Sequence, residues 1–75
     1  MATLFYKDFF IIGMGQFDKP KELCMPVAGI GWHSDRGYEF HTIQDLVHFF
    51  RTKQAAEAFA LEAAKAWIDA RVKAA

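Results

Sequence analysis

The chain has 75 residues, 53% of them hydrophobic and 16% aromatic, with nine Lys plus Arg balancing nine Asp plus Glu. That length fits one domain, and that apolar content excludes intrinsic disorder. Zero net charge excludes a polybasic nucleic-acid or membrane binder, and one cysteine excludes an internal disulfide framework.

A domain of this size buries roughly 60% of the surface its unfolded chain exposes. Its core supplies only about 3–5 kcal/mol of net stability. Eight Phe, two Trp and two Tyr are a large apolar load for one thin core. Part of that surface is therefore expected to lie between chains. Lys7 and Asp8 interrupt the apolar N-terminus before any export-signal core develops. The run Phe9–Gly15 is far short of the ~20 residues that span a bilayer. Cys24, alone, fits a reducing compartment. The expectation is a cytoplasmic location and no membrane.

Residues 1–50 hold all five glycines and both prolines among aromatic and β-branched residues, which reads as sheet. Residues 52–75 contain neither Gly nor Pro and are rich in Ala, Lys and Glu, which reads as helix. A first strand is expected within Leu4–Phe17. Asp18-Lys19-Pro20-Lys21-Glu22 supplies a polar turn. Pro26 lacks a ladder donor and limits the next strand to about Val27–Ser34. Asp35-Arg36-Gly37 then fits a three-residue hairpin loop with Gly in the left-handed position. That loop sets Ser34 opposite Tyr38, His33 opposite Glu39, Trp32 opposite Phe40 and Ile30 opposite Thr42. Alternation puts Ile30, Trp32, Tyr38 and Phe40 on the core face, and Gly29, Gly31, His33, Glu39 and His41 on the other. Leu46–Phe50 reads as a short fourth strand or an irregular apolar connection, the strand being preferred. Thr52 is the helix N-cap, and the helix is expected over Lys53–Val72, with Arg71 and Lys73 near the end where the macrodipole favours cations.

The fold expected is α+β: one domain, residues 1–75, with a three- to four-stranded antiparallel meander within 4–50 packed on one long C-terminal α-helix within 53–72. On that helix Ala56, Phe59, Ala60, Ala63, Trp67 and Ala70 form one apolar stripe, and Leu61, Ala64, Ile68 and Val72 form a second, roughly 140° away. Lys65–Asp69 and Asp69–Lys73 mark the solvated arc. A sheet shelters one stripe. The second, worth roughly 1.5–3 kcal/mol for each of Leu61, Ile68 and Val72, is expected to meet a second copy, so Leu61, Ala64, Ile68 and Val72 are the dimer-interface candidates.

Chemistry finds little support. Cys24, His33, His41 and His48 match no common zinc spacing. Cys24 sits between Leu23 and Met25 with no base at useful spacing. No catalytic residue, metal or cofactor is expected. Gly13, Gly15, Gly29 and Gly31, if their strands pair, gather on one flat face beside His33, Glu39 and His41, a candidate ligand face. Such a face offers an alternative role in single-stranded nucleic-acid binding. Phe9 and Phe17 would stack bases, and Lys19, Lys21, Arg36, Arg51 and Lys53 would track phosphates.

The tail from Phe50-Arg51-Thr52-Lys53-Gln54 to Ala66-Trp67-Ile68-Asp69 resembles the closing helix of small bacterial domains of unknown function, in which an antiparallel sheet precedes one helix. The order of elements is also similar to that of the single-stranded-DNA-binding coactivator fold, which dimerises through its helices. Neither resemblance carries over a motif residue or an activity. The reading as a whole is a small non-catalytic interaction module, homodimeric through its C-terminal helix, with nucleic-acid binding as the alternative and a different protein as a further possible partner.

Overall fold

The computed structural model describes residues 1–45 and 47–74. Four antiparallel strands, β1 (Ala2–Tyr6), β2 (Phe9–Asp18), β3 (Leu23–Ser34) and β4 (Gly37–Gln44), form one sheet in the order β1-β2-β3-β4, and α1 (Lys53–Ala74) packs across it. The α+β class and the meander are as the sequence predicts. The fourth strand, however, comes from the N-terminus. Lys7 and Asp8 both take positive φ, 49° and 69°, the geometry of a tight two-residue hairpin turn. That turn splits the single strand expected within Leu4–Phe17 into β1 and β2, with Tyr6 opposite Phe9. The turn carries no Gly or Asn, so its signal in the sequence is weak.

The second strand also starts earlier than expected, at Leu23, and runs through Pro26. The Pro26 carbonyl accepts from the Asp45 N–H at 3.2 Å, so the side of Pro26 without a donor faces the chain just past the end of β4. No ladder bond is lost there. Further along, Cys24 and Phe50 exchange backbone bonds of 2.7 and 2.9 Å. Of the strand expected over Leu46–Phe50, Leu46 lies outside the described residues, and Phe50 contributes only this isolated bridge.

The β3–β4 hairpin differs from expectation by one residue. Its loop is Asp35-Arg36, and Ser34 pairs with Gly37, His33 with Tyr38, Trp32 with Glu39 and Ile30 with His41. Ser34 Oγ accepts the Arg36 N–H at 3.2 Å, and Gly37 takes the positive φ of 110°. A one-residue shift moves every side chain of a strand to the other face. Tyr38 and Phe40 therefore lie on the face away from the helix, and Glu39 and His41 on the helix side.

Thr52 Oγ1 caps the helix by accepting the Ala55 N–H at 3.1 Å. The helix lies over β2 and β3, with β1 and β4 at its margins. Its buried ridge is Ala56, Ala60, Ala64 and Ile68, each at most 1% exposed, flanked by Phe59, Ala63 and Trp67 on one side and by Glu57, Leu61 and Lys65 on the other. This ridge takes Ala56 and Ala60 from the first stripe read from the sequence and Ala64 and Ile68 from the second, and so joins them into one broad face. The expected dimer stripe is accordingly covered within the chain: Ala64 and Ile68 are fully buried, Leu61 packs against the core and touches Gly13, and only Val72, 47% exposed, faces out. The helix can sit this low because glycines lie beneath it. A Cβ on Gly13 would lie 3.0 Å from the Glu57 carbonyl oxygen, and one on Gly15 would lie 2.9 Å from that of Lys53. Ile11, Ala28, Ile30, Ala60, Ala64 and Ile68 form the core.

Candidate interaction surface

The sheet has two faces of different chemistry. Under the helix lie Leu4, Tyr6, Ile11, Gly13, Ala28, Ile30 and Ile43, with Glu39 and His41 at the margin of β4. Among the described residues no helix packs on the opposite face, although Val27 and Met25 on it are buried, 8% and 9% exposed, and Phe49 and Lys21 border Met25 at one end. Its cross-strand rows read Phe5–Phe10–Gly31–Phe40, Thr3–Ile12–Gly29–Thr42 and Met14–Val27–Gln44, with His33 and Tyr38 beyond one end and Gln16, Met25 and Asp18 toward the other. Phe5 is 75% exposed, Tyr38 58% and Phe40 56%.

Two rings on this open face lie flat because glycines seat them. A Cβ on Gly29 would fall 2.7 Å from Phe40 Cζ, and one on Gly31 would overlap the Tyr38 hydroxyl. Each ring leans diagonally over β3, from the residue it pairs with to the next glycine or ring-bearing row. Beside them the Phe5 and Phe10 rings meet at 5.0 Å, with Ile12 and Met14 continuing along β2.

Charge is almost absent here. Of the nine basic and nine acidic side chains, all lie in turns, on the helix or on the helix side of the sheet except Asp18, at the far end of β2. The structure therefore divides the expected ligand face. Gly29, Gly31 and His33 lie on the open face, whereas Gly13, Gly15, Glu39 and His41 lie on the helix side. The four glycines do not meet. The register explains it: Gly13 pairs with Ala28 and Gly29 with Ile12, so the two Gly-X-Gly runs sit on opposite faces.

His41 stacks on Trp67 at 4.6 Å and 14°, and His33 meets Tyr38 edge-on at 5.3 Å. The two histidines are thus on opposite faces, and no group of three metal-ligating side chains forms among the described residues. Cys24 is a buried free thiol. Phe9, expected as a base-stacking residue, shares its parity with Gly13 and packs against Trp32 at 5.6 Å on the helix side. Phe17 is exposed at the end of the sheet. There, with Gln16, Asp18, Lys21, Met25 and Phe49, it lines an open cleft of about 370 Å³. Lys19 and Lys21 sit in the β2–β3 turn and Arg51 and Lys53 at the helix start near the same end, on the other side of the sheet from the open face, while Arg36 is in the β3–β4 turn at the opposite end.

Polar order concentrates on the helix side. Asp69 accepts from Tyr6 Oη at 2.9 Å and from Lys7 Nζ at 2.8 Å. The Lys7 hydrogen bond, followed by that of Tyr6, holds the Asp69 carboxyl below the ordinary carboxylate range, and the Asp69 bond raises Lys7 in turn. Arg71 lies over Trp32 and Trp67, 4.9 and 5.3 Å from their ring centres. Asp45 caps its own loop by accepting the Val47 and His48 N–H groups, each at 2.8 Å, and those backbone bonds lower its pKa. These groups tie the helix and loops to the sheet.

The open face was missed from sequence because its identity depends on the length of one turn. The available signal was the pairing of Gly-Ile-Gly on β3 with Tyr-Glu-Phe on β4, since glycines opposite aromatics serve as ring seats. No helix among the described residues is long and apolar enough to cross a membrane. Comparison with models of known protein families, with curated proteins and with solved structures finds no match to this chain.

Proposed function

We propose that this chain is a non-catalytic interaction module that pairs with a second copy through the open face of its sheet. The observation that carries the reading is an apolar face bearing exposed Phe5, Tyr38 and Phe40 and, apart from Asp18 at its end, no formal charge. Three rings of ~200 Å² each, at these exposures, leave roughly 380 Å² of aromatic surface per copy in water. Complete withdrawal by two copies would remove up to about 760 Å² of it from water, the driving force set against an association cost of about 4–15 kcal/mol. The molecule's accessible area of 5257 Å² also exceeds the roughly 4,700 Å² of a compact monomer of this mass.

A second copy suits this face better than nucleic acid does. Phosphate tracking needs a run of cations, and here, among the described residues, only Lys21, over Phe49 and next to Asp18 in the cleft at one end, is basic. An uncharged apolar patch meets its own image without like-charge repulsion, as an isologous contact requires. The reading replaces the helix with the sheet as the site of pairing. It also places the protein in the cytoplasm, where its lone buried thiol stays reduced.

Sedimentation velocity at micromolar concentration tests it, with Phe5→Glu/Met14→Glu as the variant, since both side chains are already exposed. The variant is expected to halve the particle mass at unchanged circular dichroism. Equal masses for the two proteins would remove the face from the interface. Salt-dependent binding of a single-stranded oligonucleotide, lost in the same variant, would favour the nucleic-acid alternative.

A further inference from the structure

The hydrogen-bonding sides of the strands follow from three backbone contacts. Pro26 turns its carbonyl to Asp45, and Cys24 exchanges bonds with Phe50, both on the β4 side of β3. Backbone groups alternate sides along a strand. Ala28, Ile30 and Trp32 therefore bond across to Ile43, His41 and Glu39. The intervening residues Tyr38, Phe40, Thr42 and Gln44 turn their N–H and C=O groups away from the sheet.

That edge is open. β4 ends the strand order, and among the described residues no backbone bond joins it to anything outside β3 except through the turn and Asp45. The strand is eight residues long and its register is continuous, without a bulge. It contains neither Pro nor Lys. Natural edge strands carry such devices to prevent strand addition, and of them β4 has only one charge, Glu39, on the helix side at the sheet margin.

We infer that the β4 edge pairs antiparallel with the β4 edge of a second copy, making one eight-stranded sheet. The sequence of β4 is complementary to itself about Phe40. Centred there, Phe40 faces the partner's Phe40 and Tyr38 faces the partner's Thr42 on the open face. On the helix side, Glu39 meets the partner's His41 twice, once in each direction. Aromatic pairs and hydrogen-bonding polar pairs are favourable cross-strand combinations, and an imidazole beside a carboxylate is one of the latter. This pairing rests on the strand edge and stands independently of the face-to-face contact. The two are also geometrically compatible. A two-fold axis normal to the sheet keeps both helices on one side and both apolar faces on the other. A face-to-face two-fold lies in the perpendicular plane, and together the two close a tetramer of D2 symmetry.

Native mass spectrometry and sedimentation on the full chain test the inference with Thr42→Pro. The Thr42 N–H points outward, so proline there removes an edge donor without breaking the β3–β4 ladder. Wild type is expected as a tetramer, Thr42→Pro as a dimer, Phe5→Glu/Met14→Glu as a dimer, and the combined variant as a monomer. If the face-to-face contact fails and the edge holds, wild type is a dimer and Thr42→Pro a monomer. Should Thr42→Pro fail to fold, amide exchange in the wild type decides. Edge pairing slows the Tyr38, Phe40 and Thr42 amides at least about a hundredfold relative to an open strand. An unchanged mass in folded Thr42→Pro, or free exchange of those three amides, overturns it.

Discussion

Gly13 and Gly29 are chemically identical and close in the sheet, yet the structure assigns them opposite tolerances. Neither has positive φ, so alanine fits both backbones without strain, and the difference must come from what a new methyl meets. At Gly13 it lies 3.0 Å from the Glu57 carbonyl oxygen and 3.0 Å from Leu61 Cγ. One is helix backbone and the other a side chain packed on the core, so relief requires lifting the helix. Overpacking of this kind costs about 1–3 kcal/mol. It is offset only in part by the roughly 0.4–1 kcal/mol that alanine gains from a less flexible unfolded chain. At Gly29 the methyl meets Phe40 Cζ at 2.7 Å, the far end of a ring that in the separated chain can swing outward, and the unfolded-state gain remains. Gly13→Ala is therefore expected to lose about 1–2 kcal/mol, each kcal/mol lowering Tm by about 4–8 °C. Gly29→Ala is expected between about 1 kcal/mol more stable and 0.5 kcal/mol less stable than wild type. Urea unfolding followed by fluorescence reads both, because Trp32 and Trp67 meet at 5.7 Å on the seam between helix and sheet. Protein concentration is held equal, since association couples to stability. A Gly29→Ala loss matching that of Gly13→Ala, or a fully stable Gly13→Ala, would show that the glycines do not divide between the two faces.

Ile68→Ala removes a side chain with no exposed surface and should cost about 2–5 kcal/mol. Val72→Ala, four residues on and half exposed, should stay within about 0.5 kcal/mol, and chemical denaturation of the pair checks that the two do not act as one stripe. Asp69 has a folded pKa below its unfolded one, because the carboxylate accepts from Lys7 and Tyr6. Its contribution is complete above the ordinary carboxylate pKa and is lost as pH falls through the depressed one, so Asp69→Asn should flatten the acid limb of the stability profile; the variant also loses the Lys7 contribution that wild type keeps until pH rises through the raised Lys7 pKa. A steeper acid limb in Asp69→Asn would contradict the assignment. Thr52→Ala deletes the helix cap and should cost about 1 kcal/mol, read as a thermal shift, with Thr52→Ser restoring most of it.

The class of the fold was readable from composition alone, because Gly, Pro and β-branched residues stop where the Ala-rich helix begins. The helix start was readable from Thr52, and the β2–β3 turn from Lys19-Pro20. The β1–β2 turn was not, since Lys7-Asp8 adopts a left-handed pair that the sequence marks only by its polarity. The β3–β4 register was not readable either. Asp35-Arg36-Gly37 supports loops of two or three residues with similar local chemistry, and only tertiary packing separates them. Two candidate sites inherited that single-residue uncertainty. Glu39 and His41 were grouped with His33 on one face, and Tyr38 and Phe40 were assigned to the core. The helix differs for another reason: the alanines of the two stripes, Ala56, Ala60 and Ala64, are small enough to sit low on the sheet, so one face buries members of both.

The register follows from how little of a sheet one helix can cover. A helix about 10–12 Å across shelters roughly two strands spaced 4.7–4.9 Å apart, and here those are β2 and β3. The helix side of β4 therefore stays wet at its margin, and Glu39 and His41 are acceptable there. On the other face, Gly29 and Gly31 leave two positions on β3 without side chains, and rings from β4 can fill them. Both halves of this argument favour placing Tyr38 and Phe40 on the open face, which the two-residue loop does. The same geometry fixes the location of the excess apolar surface. A chain with four strands and one helix has two sheet faces and a single helical cover, so a sequence that makes both faces apolar leaves one that the helix does not reach. Four rings, Phe5, Phe10, Tyr38 and Phe40, lie on that uncovered face, while the helix spends its apolar surface inside the chain.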